Sequence, residues 1–322
     1  MLRRRYLCLL SCALLTSQLL AVETNELPPS HTVKPELYAT GFEFAEGPAL
    51  DHTGNLYVVN YRGNGNIGRI GVDGTASIFC VLEKVAPFEG RKPQANGLKL
   101  DKLGRLIVAD AGAGRVLRIA LDGSTAEVLA ERCNGERFKS INDVALDLAG
   151  NIYFSDPGGS SAEMPTGTIY RFDINTKKVS MLAKDLAFPN GLAVTPDQRH
   201  LIVAESQRYR LLTFALSPEG VASNQRVLCE FPTEDREGIR GGKYDPDGLI
   251  MDKAGRCYVG MWSGGVINVV DSATGTLLRQ YDAGGAKATN CHFHGPYLYV
   301  TVAAKEAVFR LKLGAEGFEY AR

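Results

Sequence analysis

The chain has 322 residues, 45% hydrophobic and 22% charged, with 36 basic and 36 acidic side chains. Such a neutral balance excludes nucleic acid and anionic membrane surfaces as principal partners, and the length is ample for a large core. The 35 glycines point to regularly repeated turns.

Residues 1–21 carry Arg3, Arg4 and Arg5, then an apolar run from Tyr6 to Leu15, then small residues up to Ala21. This order reads as a secretory signal peptide, cut near Ala21, which predicts a periplasmic or extracellular protein free of the membrane after cleavage. The apolar run is too short to span a bilayer comfortably. Residues 22–32 read as a linker and 33–322 as a single domain. Cys8 and Cys12 leave with the leader, so five of the seven cysteines remain. None has C-x-x-C spacing, which argues against a cysteine-held zinc site. Cys257 and Cys291 sit in apolar runs and read as small buried hydrophobes.

A single short frame then recurs. It is "EGPALDHTGNLYVV" from Glu46, "NGLKLDKLGRLIVA" from Asn96, "NDVALDLAGNIYFS" from Asn142, "NGLAVTPDQRHLIVA" from Asn190 and "DGLIMDKAGRCYVG" from Asp247. A worn sixth copy, "NCHFHGPYLYVT", begins at Asn290. A period of this size marks propellers or solenoids. Each copy reads as strand, tight turn, strand, with Asp-x-x-Gly or Pro-Asp chemistry at the reversal. A third strand follows each copy, and a fourth follows all but the last. The prediction is an all-β six-bladed propeller with four antiparallel strands per blade. The segment "KPELYAT" ahead of the first frame supplies the strand missing from the last blade and so closes the ring.

In a propeller the first strand of each blade lines the central channel, so the residues heading the frames meet at one end of the axis. Glu46, Asn96, Asn142, Asn190, Asp247 and Asn290 are all acids or amides, and no lysine or arginine joins them. Crowded carboxylates need partners, and a hard cation is the economical one. Oxygen ligands without His or Cys suit calcium, with magnesium, manganese or zinc as alternatives. Asn and Asp before Gly also shape turns by local hydrogen bonds, which is sufficient reason for Asn96 and Asn290. Glu46 seldom plays that part. The third copy places Asp143 where most others have glycine, and an acid beside a metal site can serve as general base. Arg137 and Lys139 precede it and could hold a polar substrate group or be solvated. His292 and His294 share one face of the sixth copy, toward the channel, in a structural role.

These stretches resemble the senescence-marker protein/gluconolactonase/luciferin-regenerating enzyme family over about residues 35 to 315. The pieces that carry the resemblance are "FAEGPALDHTGNLYVV", "GERFKSINDVALDLAGNIYFSDP", "FPNGLAVTPDQRHLIVAES", "DPDGLIMDKAGRCYVG" and "TNCHFHGPYLYVT". The resemblance implies a calcium-dependent lactonase acting on a small cyclic ester. Its divalent metal would sit on Glu46, Asn190 and Asp247, with Asp143 for proton transfer. Asn142 would contact substrate, joined by Asn96 and Arg137 as candidates. The Gly/Ser-rich loop "SDPGGSSAEMPTGTIYRF" and the charged segment "FPTEDREGIRGGKY" depart from the family pattern and would alter the substrate. Two other readings remain open at this point. One is a non-enzymatic propeller scaffold with a structural calcium; the other is an exported sugar dehydrogenase using a quinone. No G-x-S-x-G elbow or helix-opening G-x-G-x-x-G is present.

Overall fold

A computed structural model of the protein describes residues 26–233 and 244–320. The expected signal peptide and most of the charged segment before Asp247 lie outside those residues. The described chain forms six four-stranded antiparallel sheets and one two-stranded hairpin, Arg132–Cys133 with Glu136–Arg137. Helix is confined to the single turn Leu82–Val85 and two 3-10 turns among the described residues.

The sheets are the blades of a propeller. Their innermost strands are Ala45–Leu50, Ala95–Leu100, Val144–Leu146, Pro189–Val194, Pro246–Met251 and Ala288–His294. We number the blades 1 to 6 in that order. Each blade packs on its sequence neighbours, and blade 6 packs on blade 1. The core is a series of apolar layers between adjacent blades, such as Leu98, Leu106 and Val108 of blade 2 against Val59 and Ile67 of blade 1. The ring closes as the sequence predicts: Glu36–Thr40 pairs antiparallel with Ala307–Lys312, and Glu36 lies opposite Arg310. That strand covers an edge that would otherwise expose unpaired amides.

The hairpin turns explain the repeated Asp-x-x-Gly. Asp51 accepts the backbone N–H groups of Thr53 and Asn55 on one oxygen and the Asn55 side chain on the other. Asp147 does the same for Asn151, and Asp252 accepts from the backbone and guanidinium of Arg256. The acid thus replaces water for the turn amides, and the glycine supplies the left-handed backbone (Gly54, φ +92°; Gly150, φ +87°).

All five described cysteines are free thiols, and Cys257 and Cys291 are fully buried.

Candidate active site

Five of the six innermost strands carry a register irregularity near the frame head; the blade 3 ladder, Val144–Leu146, begins after its head and pairs without one. The register slips between Glu46 and Ala49, Ala95 and Leu98, Pro189 and Leu192, Pro246 and Leu249, and Ala288 and Asn290. In blades 2, 4 and 5 the slip leaves the frame head and its successor out of the ladder; in blade 6 it leaves out Thr289 alone, and in blade 1 Gly47 and Pro48, while Glu46 stays opposite Val59.

The glycine after the head follows from crowding. A Cβ on Gly97 would lie 2.0 Å from Asp143 Oδ1, one on Gly191 2.5 Å from the Asp247 carbonyl, and one on Gly248 2.2 Å from Asn290 Cγ. Each glycine makes room for the next blade's head region.

Register also corrects the sixth copy. Ala288 opposes Val302 just as Ala95 opposes Asp110 and Pro246 opposes Met261. The residue after Ala288 is therefore the head, and it is Thr289. Asn290 stands in the glycine position, not at the head where the sequence pattern placed it. Blades 3 and 6 thus both replace that glycine, by Asp143 and Asn290.

The head layer consists of Glu46, Asn96, Asn142, Asn190, Asp247 and Thr289. Glu46, Asn96, Asn190, Asp247 and Thr289 are buried, and Asn142 is half-buried. The Asn190 side chain favours the charged form of Asp247 and the Thr289 side chain that of Glu46, and the Thr289 hydroxyl donates to the Ala45 carbonyl at 2.8 Å. Burial first, then the charge of Asp143, pushes Glu46 up to about 8. Burial, then the charges of Glu46, Asp245 and Asp143, pushes Asp247 well above the usual carboxylate range. The two acids therefore face each other's field without a basic partner in their layer.

One layer below, Asp143 Oδ1 accepts the Val144 N–H at 2.8 Å and Oδ2 accepts the Asn290 amide at 3.0 Å. Its pKa is raised by burial, while Lys99 and these hydrogen bonds oppose the rise. Lys99 Nζ is buried with no hydrogen-bond partner, as is His292 Nδ1. Burial, Lys99 and His294 hold His292 down to about 3, so it is neutral.

The donor set fits a hard divalent cation: two buried carboxylates of raised pKa, an amide between blades and no ammonium group in the layer. Among the described residues no three His, Cys, Asp or Glu side chains gather into a metal-holding group, because the set here is two acids and amides. Glu46, Asn190 and Asp247 are brought together with Asn96, Asn142 and Asp143. Arg137 is not. It pairs with Glu131 at 3.0 Å and lies over the Phe88 ring at 4.6 Å.

The sequence reading overlooked three acids that organise the mouth. Asp110, Asp156 and Glu205 end the second strands of blades 2, 3 and 4. Asp110 binds Arg115 and the Gln94 and Ala113 amides. Asp156 binds the Lys139 and Ser140 amides, and Glu205 binds Arg208, Arg210 and the Ala187 amide. Their shared place, one or two residues before a loop, was visible in "VADAG", "FSDPG" and "VAESQ".

A family model described as the SMP-30/gluconolactonase/LRE-like region matches residues 44–304. The chain belongs to this family. Among its relatives is a gluconolactonase from Zymomonas mobilis, 25% identical over 86% of this chain and 80% of the relative. Another is the diisopropyl-fluorophosphatase of Loligo vulgaris, 27% identical over 85% of this chain and 90% of the relative. The crystal structure of a calcium-binding protein, regucalcin, from Agrobacterium tumefaciens covers 91% of this chain and 98% of its own, with a TM-score of 0.72 and 17% identity. That last likeness concerns the fold. As a member of the family, the chain carries the head residues of blades 1, 4 and 5 that the resemblance implied, in one layer.

Proposed function

We propose that this chain is a lactonase, a hydrolase that opens a small cyclic ester at the mouth of the channel, with a divalent cation, calcium first, held by Glu46, Asn190 and Asp247. The observation that carries this reading is the pair Glu46 and Asp247: two buried carboxylates in each other's field, with no basic side chain in their layer. When bound, the cation supplies a Lewis acid for the ester carbonyl. Asn142 and Asn96, in the same layer, orient the ring. Asp143, buried and raised above an ordinary aspartate, takes the proton of the attacking water. Asn290 and the Val144 amide hold its carboxylate in one orientation.

The relatives named gluconolactonase support an enzyme rather than a scaffold, and a scaffold has no use for the further acid Asp143. The test is hydrolysis of a lactone panel by the calcium-loaded and the chelated protein, with diisopropyl fluorophosphate added to the panel because of the Loligo relative. Turnover that requires calcium and disappears in Asp143→Asn, with calcium binding retained, is expected. Equal turnover in the chelated protein would overturn the reading.

A further inference from the structure

Below the Asp143 and Asn290 layer the inner strands carry two polar side chains that the lactonase reading leaves unused. They occupy the fourth position of the frame. Counted from the heads, that position holds Ala49, Lys99, Ala145, Ala193, Ile250 and, with Thr289 as the sixth head, His292. The ladders place them at one level: the next residues along, Leu50, Leu100 and Phe293, lie opposite Leu56, Leu106 and Leu298. Blades 6 and 2 flank blade 1, so His292 and Lys99 stand on either side of Ala49.

Lys99 lies two residues beyond Gly97 and so on the same face of its strand. A Cβ on Gly97 would lie 2.0 Å from Asp143 Oδ1, so that face is turned inward, toward blade 3 and the axis. Lys99 is 8% exposed, and its buried Nζ has no hydrogen-bond partner. It forms no ion pair among the described residues. His292 Nδ1 is likewise buried and unpartnered. Three of the other four positions in the layer are alanine, which puts little side chain between the two.

The acids nearest along the strands are engaged elsewhere. Asp143 accepts from the Val144 N–H and the Asn290 amide, and Asp101 binds Arg105. An ammonium group has three donors and no acceptor, and burying it without an opposite charge is strongly unfavourable. Water would meet its donors but not its charge. An anion meets both, and Nδ1 of the neutral imidazole can donate to the same anion. A halide carries one charge and accepts from donors in any direction. A sulfate or phosphate would bring more oxygens than these two side chains can meet.

We propose that Lys99 and His292 hold a small monovalent anion, of halide size, in this layer of the channel. The site is separate from the cation at the heads and does not depend on the lactonase reading.

Two measurements test it. Crystals of the unaltered chain grown with bromide in place of chloride are expected to show an anomalous bromine peak in contact with Lys99 Nζ and His292 Nδ1. In chloride-free methanesulfonate buffer, titration with bromide at constant ionic strength is expected to raise the Tm saturably, by about 2–4 °C. Lys99→Met has nearly the same shape without the charge, and should lose that rise. Bromine at surface side chains only (an adventitious ion), an ordered water alone at Lys99, or a Tm indifferent to bromide would overturn the site. A bromide response that persists in Lys99→Met would do the same. The crystal measurement uses the unaltered chain, so a variant that fails to fold does not decide the outcome.

Discussion

The side-chain amide of Asn290 donates to Asp143 Oδ2 at 3.0 Å, which joins blade 6 to blade 3 across the propeller axis. The two residues are built alike. The backbone N–H of Asp143 donates to Ser155 Oγ and that of Asn290 to Thr301 Oγ1, both at 3.1 Å. Asp143 Oδ1 takes the N–H of Val144, and Asn290 Oδ1 that of Cys291, both at 2.8 Å. The Cys291 contact fixes the amide orientation, so the NH₂ group faces the acid.

This bond makes Asn290 a positioning residue for Asp143. Asn290→Ala should lower kcat roughly tenfold or more with KM little changed, because a hydrogen bond to a charged group contributes about 1.5–3 kcal/mol. Steady-state kinetics on whichever lactone is turned over would check this. An unaltered kcat would mean that the proton acceptor does not depend on the cross-axis bond.

The head-layer acids predict how pH and calcium act together. Glu46 rises from 4.5 to about 8 in the folded chain, and Asp247 rises with it, both by burial first. A carboxyl with a raised folded pKa stabilises the fold below its unfolded pKa. It loses that contribution as pH climbs to the folded value, because the unfolded chain releases its proton first. Chelated protein should therefore lose stability between about pH 4.5 and 8, by on the order of a few kcal/mol. Calcium should flatten the profile, and its binding at neutral pH should release protons. Thermal melts across pH, with and without calcium, test this; stability rising through that window without calcium would contradict it.

Much of the site was legible because a propeller converts a sequence column into a spatial ring. Glu46, Asn96, Asn142, Asn190 and Asp247 occupy one layer since each heads the same strand of its blade. The sixth head was misread by one residue. Asn290 matched the column by residue type, whereas only the ladder register, Ala288 opposite Val302, identifies Thr289. A one-residue slip on a strand changes which side chains face the axis. The contact between the Phe44, Tyr61 and Trp262 rings, with centroids 5.5 and 5.3 Å apart, was illegible for another reason. Its rings come from loops of blades 1 and 5, about 200 residues apart in the chain, and no period links them. Arg137 failed in the opposite sense. Its place shortly before Asn142 looked close to the site, but the short hairpin turns it toward Glu131 and Phe88.

The glycine column is itself testable. Gly97 lacks left-handed backbone, so the obstacle to a side chain there is space: its Cβ would meet Asp143 at Oδ1, Cγ and Cα, all within 2.8 Å. Gly97→Ala should cost about 1–3 kcal/mol of stability, the usual price of overpacking. It should also displace the Asp143 carboxylate and reduce kcat. Gly104, in the turn between the first two strands of blade 2, has a left-handed φ of +78° and would meet only Leu121 Cδ2, at an ordinary 3.4 Å, so it is the comparison. Gly104→Ala should lose stability through strain while kcat holds. Equal kcat in both variants would deny Gly97 its role in seating the acid.

The C-terminal tail lies against the strand ends opposite the heads, a placement that no sequence pattern announced. The Lys253 N–H donates to the Glu316 carbonyl and the Phe318 N–H to the Met251 carbonyl, both at 2.9 Å, so the tail runs beneath blade 5. The Tyr320 hydroxyl then reaches the carbonyl of Val194 on blade 4. The Phe318 and Tyr320 rings meet at 4.8 Å, and Tyr320 packs on the apolar layers of blades 3 and 4. Tyr320→Phe should cost about 1 kcal/mol, the worth of one partly buried hydrogen bond. Truncation after Leu313 removes both rings and buried Ala315 and uncovers the apolar layers they pack on, which should cost several kcal/mol at about 25 cal/mol per Å² of apolar surface. Because Val194 and Met251 lie at the strand ends opposite the heads, kcat should survive at temperatures well below the lowered Tm. A truncated chain that melts like the parent, or one that stays folded but inactive, would show that the tail does something other than stabilise those strand ends.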